Sequence, residues 1–179
     1  MSHAAEFDSR LAFFVLVVLV ALLRLFELRI AARNRRRLLA RGAREAGAGH
    51  YPWMVTLHAV WLVAAPAEVW LLGRPFLPAL AFPMLALLLL ATALRWWVIA
   101  TLGERWTTRI LVLPEAPLVT GGPYRFLRHP NYLAVVLELA ALPLVHTAWL
   151  TALLAAVSNA AILRVRITVE ERALASASR

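Results

Sequence analysis

Three short constellations in the C-terminal half carry the residue types that do chemistry. Gly121-Gly122-Pro123-Tyr124 permits a close backbone turn with an aromatic ring just after it. Arg128-His129-Pro130-Asn131-Tyr132 sets two cationic donors and a phenol at the mouth of an apolar segment. Pro130 suits the first turn of a helix, where its missing N–H does no harm. Arg164-Val165-Arg166 is followed by Glu170-Glu171, and Arg166 and Glu170, four apart, share one helical face. Singly, each has a plain explanation: a turn, an interfacial anchor, a helix ion pair. Together they suit a ligand with an ammonium and a carboxylate, Glu170 meeting the first and His129 or Arg128 the second. The faces of Tyr124 and Tyr132 suit a sulfonium or an adenine ring.

S-adenosylmethionine combines those four parts. A Gly-x-Gly-x-x-Gly fingerprint is absent, so a soluble dinucleotide-type fold is not supported. The surrounding stretch 103–132 is punctuated by Pro114, Pro117, Gly121, Gly122, Pro123 and Pro130, which predicts turns rather than one long helix. Ile110–Leu113 and Leu118–Thr120 read as short extended pieces. Cysteine is absent and the five histidines, His3, His50, His58, His129 and His146, are widely spaced, so no metal site is expected.

The elements that must hold these residues are membrane spans. The 179 residues are 62% hydrophobic and 16% charged, too apolar for an ordinary soluble domain and for disorder. About 20 apolar residues cross a bilayer core as helix. Leu11–Leu23, Trp53–Leu72, Phe76–Leu102, Asn131–Val145 and Ala148–Leu163 are the candidates, the last two forming a hairpin around His146-Thr147 and the fourth being short. All 19 basic residues are arginine, and the net charge is +9. Arginines gather in an expected loop from Arg29 to Arg44, in the 103–130 loop and in the tail after Leu163. That asymmetry predicts an all-α integral membrane protein of five transmembrane helices, with the N-terminus outside, the C-terminus cytoplasmic and a cytoplasmic cofactor pocket. It also explains the basic charge without nucleic acid. Residues 1–102 form a three-span region and residues 103–179 a cofactor-binding region of one integrated domain. Glu68 and Glu138 lie within spans, where ionisable groups mark sites, so Glu138 is a candidate for substrate binding.

LVTGGPYRFLRHPNYLA, followed about thirty residues on by RVRITVEERAL, resembles the isoprenylcysteine carboxyl methyltransferase family over residues 103–174, and more distantly the membrane phospholipid N-methyltransferases. RLFELRIAARNRRRLLARGAREAGAGHYPWMVTLHAVW is similar to the family's bacterial branch, some of whose members methylate alkylpyrones. The resemblance implies a multi-pass membrane methyltransferase using S-adenosyl-L-methionine. It places Tyr124, His129, Pro130, Asn131, Tyr132 and Glu170 at the cofactor, with Arg109 reaching the same pocket. Ala116, Pro117, Leu118 and Val119 supply backbone contacts where eukaryotic members carry His-Thr-Leu-Val. Arg166 falls at the position facing the methyl acceptor and is the expected catalytic residue. An Arg-only composition points to a GC-rich bacterial genome, hence to the inner membrane and to an acceptor other than a prenylated protein.

The methyl would pass in line to an oxygen of a lipophilic acceptor that enters from the bilayer among membrane lipids. An anionic carboxylate or enol needs no strong base, and Arg166 would orient it; a phenol would draw on His129, Glu138 or Glu171. Competing readings are phospholipid N-methylation, a sterol-reductase-like enzyme using reduced nicotinamide, and a non-catalytic scaffold that would leave the motifs idle.

Overall fold

The computed structural model describes residues 3–114 and 116–177. Its regular elements among the described residues are helices, apart from one antiparallel pair of three-residue strands. The elements run α1 (His3–Ala40), β1 (Arg44–Ala46), α2 (Tyr51–Leu71), α3 (Pro78–Leu102), β2 (Ile110–Val112), α4 (Pro130–Leu144) and α5 (Trp149–Ala177). Among the described residues four segments are long and apolar enough to cross a membrane: Glu6–Ala40, Ala48–Leu71, Pro78–Arg105 and Trp149–Ser176. The fourth expected span is α4, whose 15 residues reach about 22 Å at the usual rise per residue.

The helices differ from the sequence expectation at their ends. The arginine-rich stretch after Arg29 is not a loop but the continuation of α1 to Ala40. Ala, Leu and Arg are strong helix formers, and no Gly or Pro interrupts them before Gly42. There the helix closes in a Schellman motif: Gly42 takes φ 85°, while Ala43 N donates to Leu38 O and Gly42 N to Leu39 O, both at 3.0 Å. Likewise the tail after Leu163 continues as α5 to Ala177. Leu118–Thr120 forms no strand, whereas Ile110–Val112 pairs with Arg44–Ala46 in the register Arg44 with Val112 and Ala46 with Ile110.

α4 is the central helix, packed most extensively on α3 and then α5. Its buried residues include Val135, Leu139, Ala141 and Leu142, which meet Trp61, Ala65 and Val69 of α2 and Phe13 and Val17 of α1 in the main core. Large apolar side chains also point outward, among them Leu19, Leu22, Val63, Leu90 and Val157, as a bilayer solvent demands. Pro143 cannot donate to the Leu139 carbonyl one turn back. The Trp61 indole N–H supplies that bond instead, at 3.1 Å.

The α4–α5 hairpin forms at His146-Thr147 as expected. Thr147 holds φ 53°, unusual for a β-branched residue, and its hydroxyl donates to Pro75 O at 2.6 Å. Glu68 is consumed at this same end of the bundle. Its carboxylate accepts from the Leu150 and Thr151 N–H groups, at 3.2 and 2.7 Å, and pairs with Arg74 at 2.7 Å. It thus caps the first turn of α5, whose N–H groups have no partner within the helix.

Candidate functional site

At the opposite end of the bundle the chain from Gly103 to His129 folds over the ends of α3, α4 and α5. Two glycines set its path. Gly103 turns at φ 54°, and Gly122 turns at φ 57° against Thr101, whose Cγ2 would lie 2.9 Å from any added Cβ. Between them β2 is tied to β1, so the N-terminal half holds the segment in place. Asn34 of α1 adds hydrogen bonds to the carbonyls of Gly103 (3.1 Å) and Trp106 (2.9 Å). Arg105 donates to Pro117 O at 2.5 Å.

The segment walls one side of an open cavity of about 870 Å³. Tyr124, His129, Asn131 and Tyr132 line it, as do Arg109, Arg166 and Glu170. Ala116, Pro117, Leu118 and Val119 form another wall. Two of the expected residues stand apart. Pro130 is fully buried at the start of α4 and shapes the turn rather than the wall. Glu138 lies outside the lining, 6% exposed, with its carboxylate held by Arg95 and, at 3.3 Å, by Arg24.

The centre of the site is a chain of three side chains. The Tyr132 hydroxyl donates to Glu170 and accepts from Arg166 Nε at 2.9 Å. Arg166 is 5% exposed, yet its other donors go to the Thr108 carbonyl (2.8 Å) and the Met54 thioether (3.3 Å). A desolvated guanidinium whose hydrogen-bond partners among the described residues are all neutral leaves a strong demand for an anion. Glu170, by contrast, is 30% exposed, with His129 Nδ1 at 3.9 Å, and keeps acceptor capacity on the cavity side. The His129 ring stacks on Tyr132 at 5.3 Å, and its Nε2 faces Glu171 at 3.4 Å. Burial, with the Glu170 charge adding to it, pushes the Tyr124 phenol up to about 12. Tyr124 therefore stays neutral at physiological pH and offers an aromatic face and an O–H, not a base.

Arg109 lines the cavity, but its guanidinium is engaged. It pairs with Glu45 of β1 and lies 3.9 Å over the Tyr51 ring. Burial acts to raise the Glu45 carboxyl, but hydrogen bonds from Arg109 and Arg35 outweigh it and hold the group below the usual range. Sequence reasoning missed Glu45, Met54, Thr108 and Trp106, because no local spacing links them to the motifs. Met54 and Arg166 meet across 112 positions.

The residues fit the cofactor that the motifs suggest. Glu170 can meet an ammonium, Tyr124 and Tyr132 can flank a sulfonium or a purine, and the volume lies in the range of small-molecule pockets. Two wall atoms, Trp106 Nε1 and Asn131 Oδ1, are buried without a partner among the described residues, and such groups call for a polar ligand atom.

A second polar group lies deeper in the bundle. Arg24 and Glu27 of α1 pair at 2.7 Å, and Arg24 also reaches Glu138, which Arg95 of α3 binds through two nitrogens. Buried charges at this depth are balanced two against two, and Arg24 ties α1 to Glu138 of α4, which Arg95 of α3 also binds.

Comparison with known proteins places this geometry in context. The model of the isoprenylcysteine carboxyl methyltransferase (ICMT) family matches residues 84–176. The chain is 36% identical over 163 residues to the uncharacterized protein YpbQ of Bacillus subtilis, covering 90% of this chain and 96% of that one. It is 33% identical over 153 residues to an uncharacterized protein of Haemophilus influenzae, covering 85% and 88% respectively.

Proposed function

Because the chain belongs to the isoprenylcysteine carboxyl methyltransferase family, we propose that it is an S-adenosylmethionine-dependent methyltransferase of the membrane, acting on an oxygen of a lipophilic acceptor. The observation that carries this reading is the Arg166–Tyr132–Glu170 chain at the cavity wall, with a buried guanidinium that has no ion-pair partner among the described residues.

When bound, S-adenosylmethionine supplies an electrophilic methyl on sulfonium. Glu170 would hold the ammonium end, the Tyr124 and Tyr132 rings would suit the sulfonium or the base, and backbone groups of 116–119 would add contacts from the cavity wall. Arg166 receives the anionic oxygen of a carboxylate or acidic hydroxyl, orients one lone pair and offsets the desolvation of that charge. An acceptor already anionic at neutral pH leaves no proton to remove, so His129 and Glu171 serve as neighbours of Glu170 rather than as a base. An amine acceptor, as in phospholipid N-methylation, would instead set a cation-forming nitrogen against Arg166. The apolar tail of the acceptor enters from the bilayer. α4 then crosses beside α5 as a fifth, shorter span, with the cavity end in the cytoplasm and the inner membrane as the site of action.

The test is calorimetric binding of S-adenosylmethionine and S-adenosylhomocysteine to the detergent-purified protein, with methyl transfer from labelled cofactor into a lipid extract. Saturable binding is expected, weakened in Glu170→Ala. Arg166→Ala is expected to bind the cofactor and fail in transfer. Absence of binding by folded protein would overturn the reading.

A further inference from the structure

α1 carries two populations of arginine. Those turned toward the body of the protein have carboxylate partners: Arg35 pairs with Glu45 at 3.1 Å, and Arg37 with Glu104 at 2.6 Å. Just past the helix end, Arg41 meets Glu104 at 3.5 Å. Arg29, Arg33 and Arg36 are all exposed and have no ion-pair partner among the described residues. Their spacing of four and three puts them on one face, opposite the buried stripe Glu27, Ala31, Asn34 and Leu38. Extended toward the N-terminus, the same face presents exposed Leu22, Leu25 and Phe26, the last set 6.1 Å from the ring of Trp96.

This single stripe therefore passes from apolar to aromatic to cationic along the helix, matching a phospholipid from acyl chain to phosphate. The charges within 11–28, Arg24 and Glu27, turn inward and pair with each other and with Glu138. Arg29 thus stands where the apolar stretch ends, Arg33 about 6 Å further and Arg36 about 10 Å further, at 1.5 Å per residue. A headgroup layer is about 5–8 Å deep on each side of the core. Arg29 and Arg33 fall within it, and the long stem of Arg36 lets its guanidinium bend back toward it. A free phosphate would use the cations but not the apolar steps below them.

We propose that the outward face of α1 is a binding site for an anionic phospholipid, with Arg29, Arg33 and Arg36 holding the headgroup and Leu22, Leu25 and Phe26 the upper acyl chain. The site is separate from the cavity and does not depend on what the cavity binds. A cation near an anionic surface is worth about fivefold in partition, so the three together are expected to give at least tenfold selection.

The experiment reconstitutes the full chain in nanodiscs of equal phosphatidylglycerol and phosphatidylcholine and weighs the lipids it retains by native mass spectrometry. The wild type should retain phosphatidylglycerol preferentially. R29Q/R33Q/R36Q should lose that preference by tenfold or more, with an unchanged melting temperature. R44Q/R164Q/R172Q, which removes the same charge from other exposed positions, should keep it. If the first variant fails to fold, R29K/R33K/R36K retaining the preference and R33Q alone reducing it carry the same weight. Equal retention of the two lipids by the wild type, or equal loss in both triple variants, overturns the proposal. So does inorganic phosphate competing at Arg29, Arg33 and Arg36 while the lipid preference stays absent.

Discussion

Replacing Glu138 with Gln removes one carboxylate from a buried group in which Arg24 and Arg95 face Glu27 and Glu138. Two cations are then opposed by one anion. The side chains of Arg95 and Glu138 are 7% and 8% exposed, so water cannot replace the missing charge. Removing one member of a buried pair costs about 3–5 kcal/mol, chiefly because its partner is left uncompensated. For a chain of this size each kcal/mol moves the melting temperature by about 2–4 °C. The expected drop is therefore about 6–20 °C. Exchanging both partners, Arg95→Met with Glu138→Leu, removes charge in balance and should recover most of that loss. The assay is thermal unfolding in detergent by tryptophan fluorescence, run beside S-adenosylhomocysteine binding, which should stay at the wild-type value because the carboxylate lies outside the cavity lining. A melting temperature within about 2 °C of wild type, together with lost methyl transfer, would refute the reasoning. The carboxylate would then serve the acceptor rather than the docking of α1.

Tyr132→Phe should separate the two halves of the site. Arg166 Nε loses its acceptor in a buried place, where a bond to a charged group is worth about 1.5–3 kcal/mol, whereas partly exposed Glu170 regains water. Transfer should therefore fall by about 10- to 150-fold, while calorimetry shows a smaller loss in S-adenosylhomocysteine affinity; equal losses would contradict the bridging role. Trp61→Phe leaves the Leu139 carbonyl without a donor beside Pro143, so a destabilisation of about 1–3 kcal/mol is expected, and an unchanged melt would show that another group takes its place. The Glu45 carboxyl titrates below its ordinary value. Its contribution to the β1–β2 pairing should be complete above the unfolded value near 4.5 and be lost as pH falls through the lower folded value. Hydrogen exchange of the strand amides should follow that acid limb in the wild type and not in Glu45→Gln.

The membrane character, the short fourth helix and the hairpin at His146-Thr147 were legible because hydropathy and turn chemistry act locally. Tyr124, His129, Asn131 and Tyr132, with Arg166 and Glu170, do meet around one cavity, and the four-residue spacing of the last two places them on one face. Charge is a poor loop signal at the end of α1: arginine is a good helix former, and only Gly42 supplies a stop. Glu68 and Glu138 carried no mark of their partners, since a buried carboxylate looks the same in sequence whether it caps α5, neutralises Arg95 or awaits a ligand. Arg109 lines the cavity as expected, but its pairing with Glu45, 64 positions away, has no spacing relation that sequence could show.

The strand pair has a consequence for how the protein can be divided. Residues 84–176 match the family model, yet the cavity roof is fastened to Glu45, Tyr51 and Asn34, and Arg166 rests on Met54. The recognisable segment is thus not a portable module. A graft or truncation that keeps only that segment would carry every diagnostic motif and still lack the frame that spaces them. Conversely, two polypeptides split in the Gly73–Leu77 turn, where no cavity residue resides, retain every fastening and should reassemble when made together.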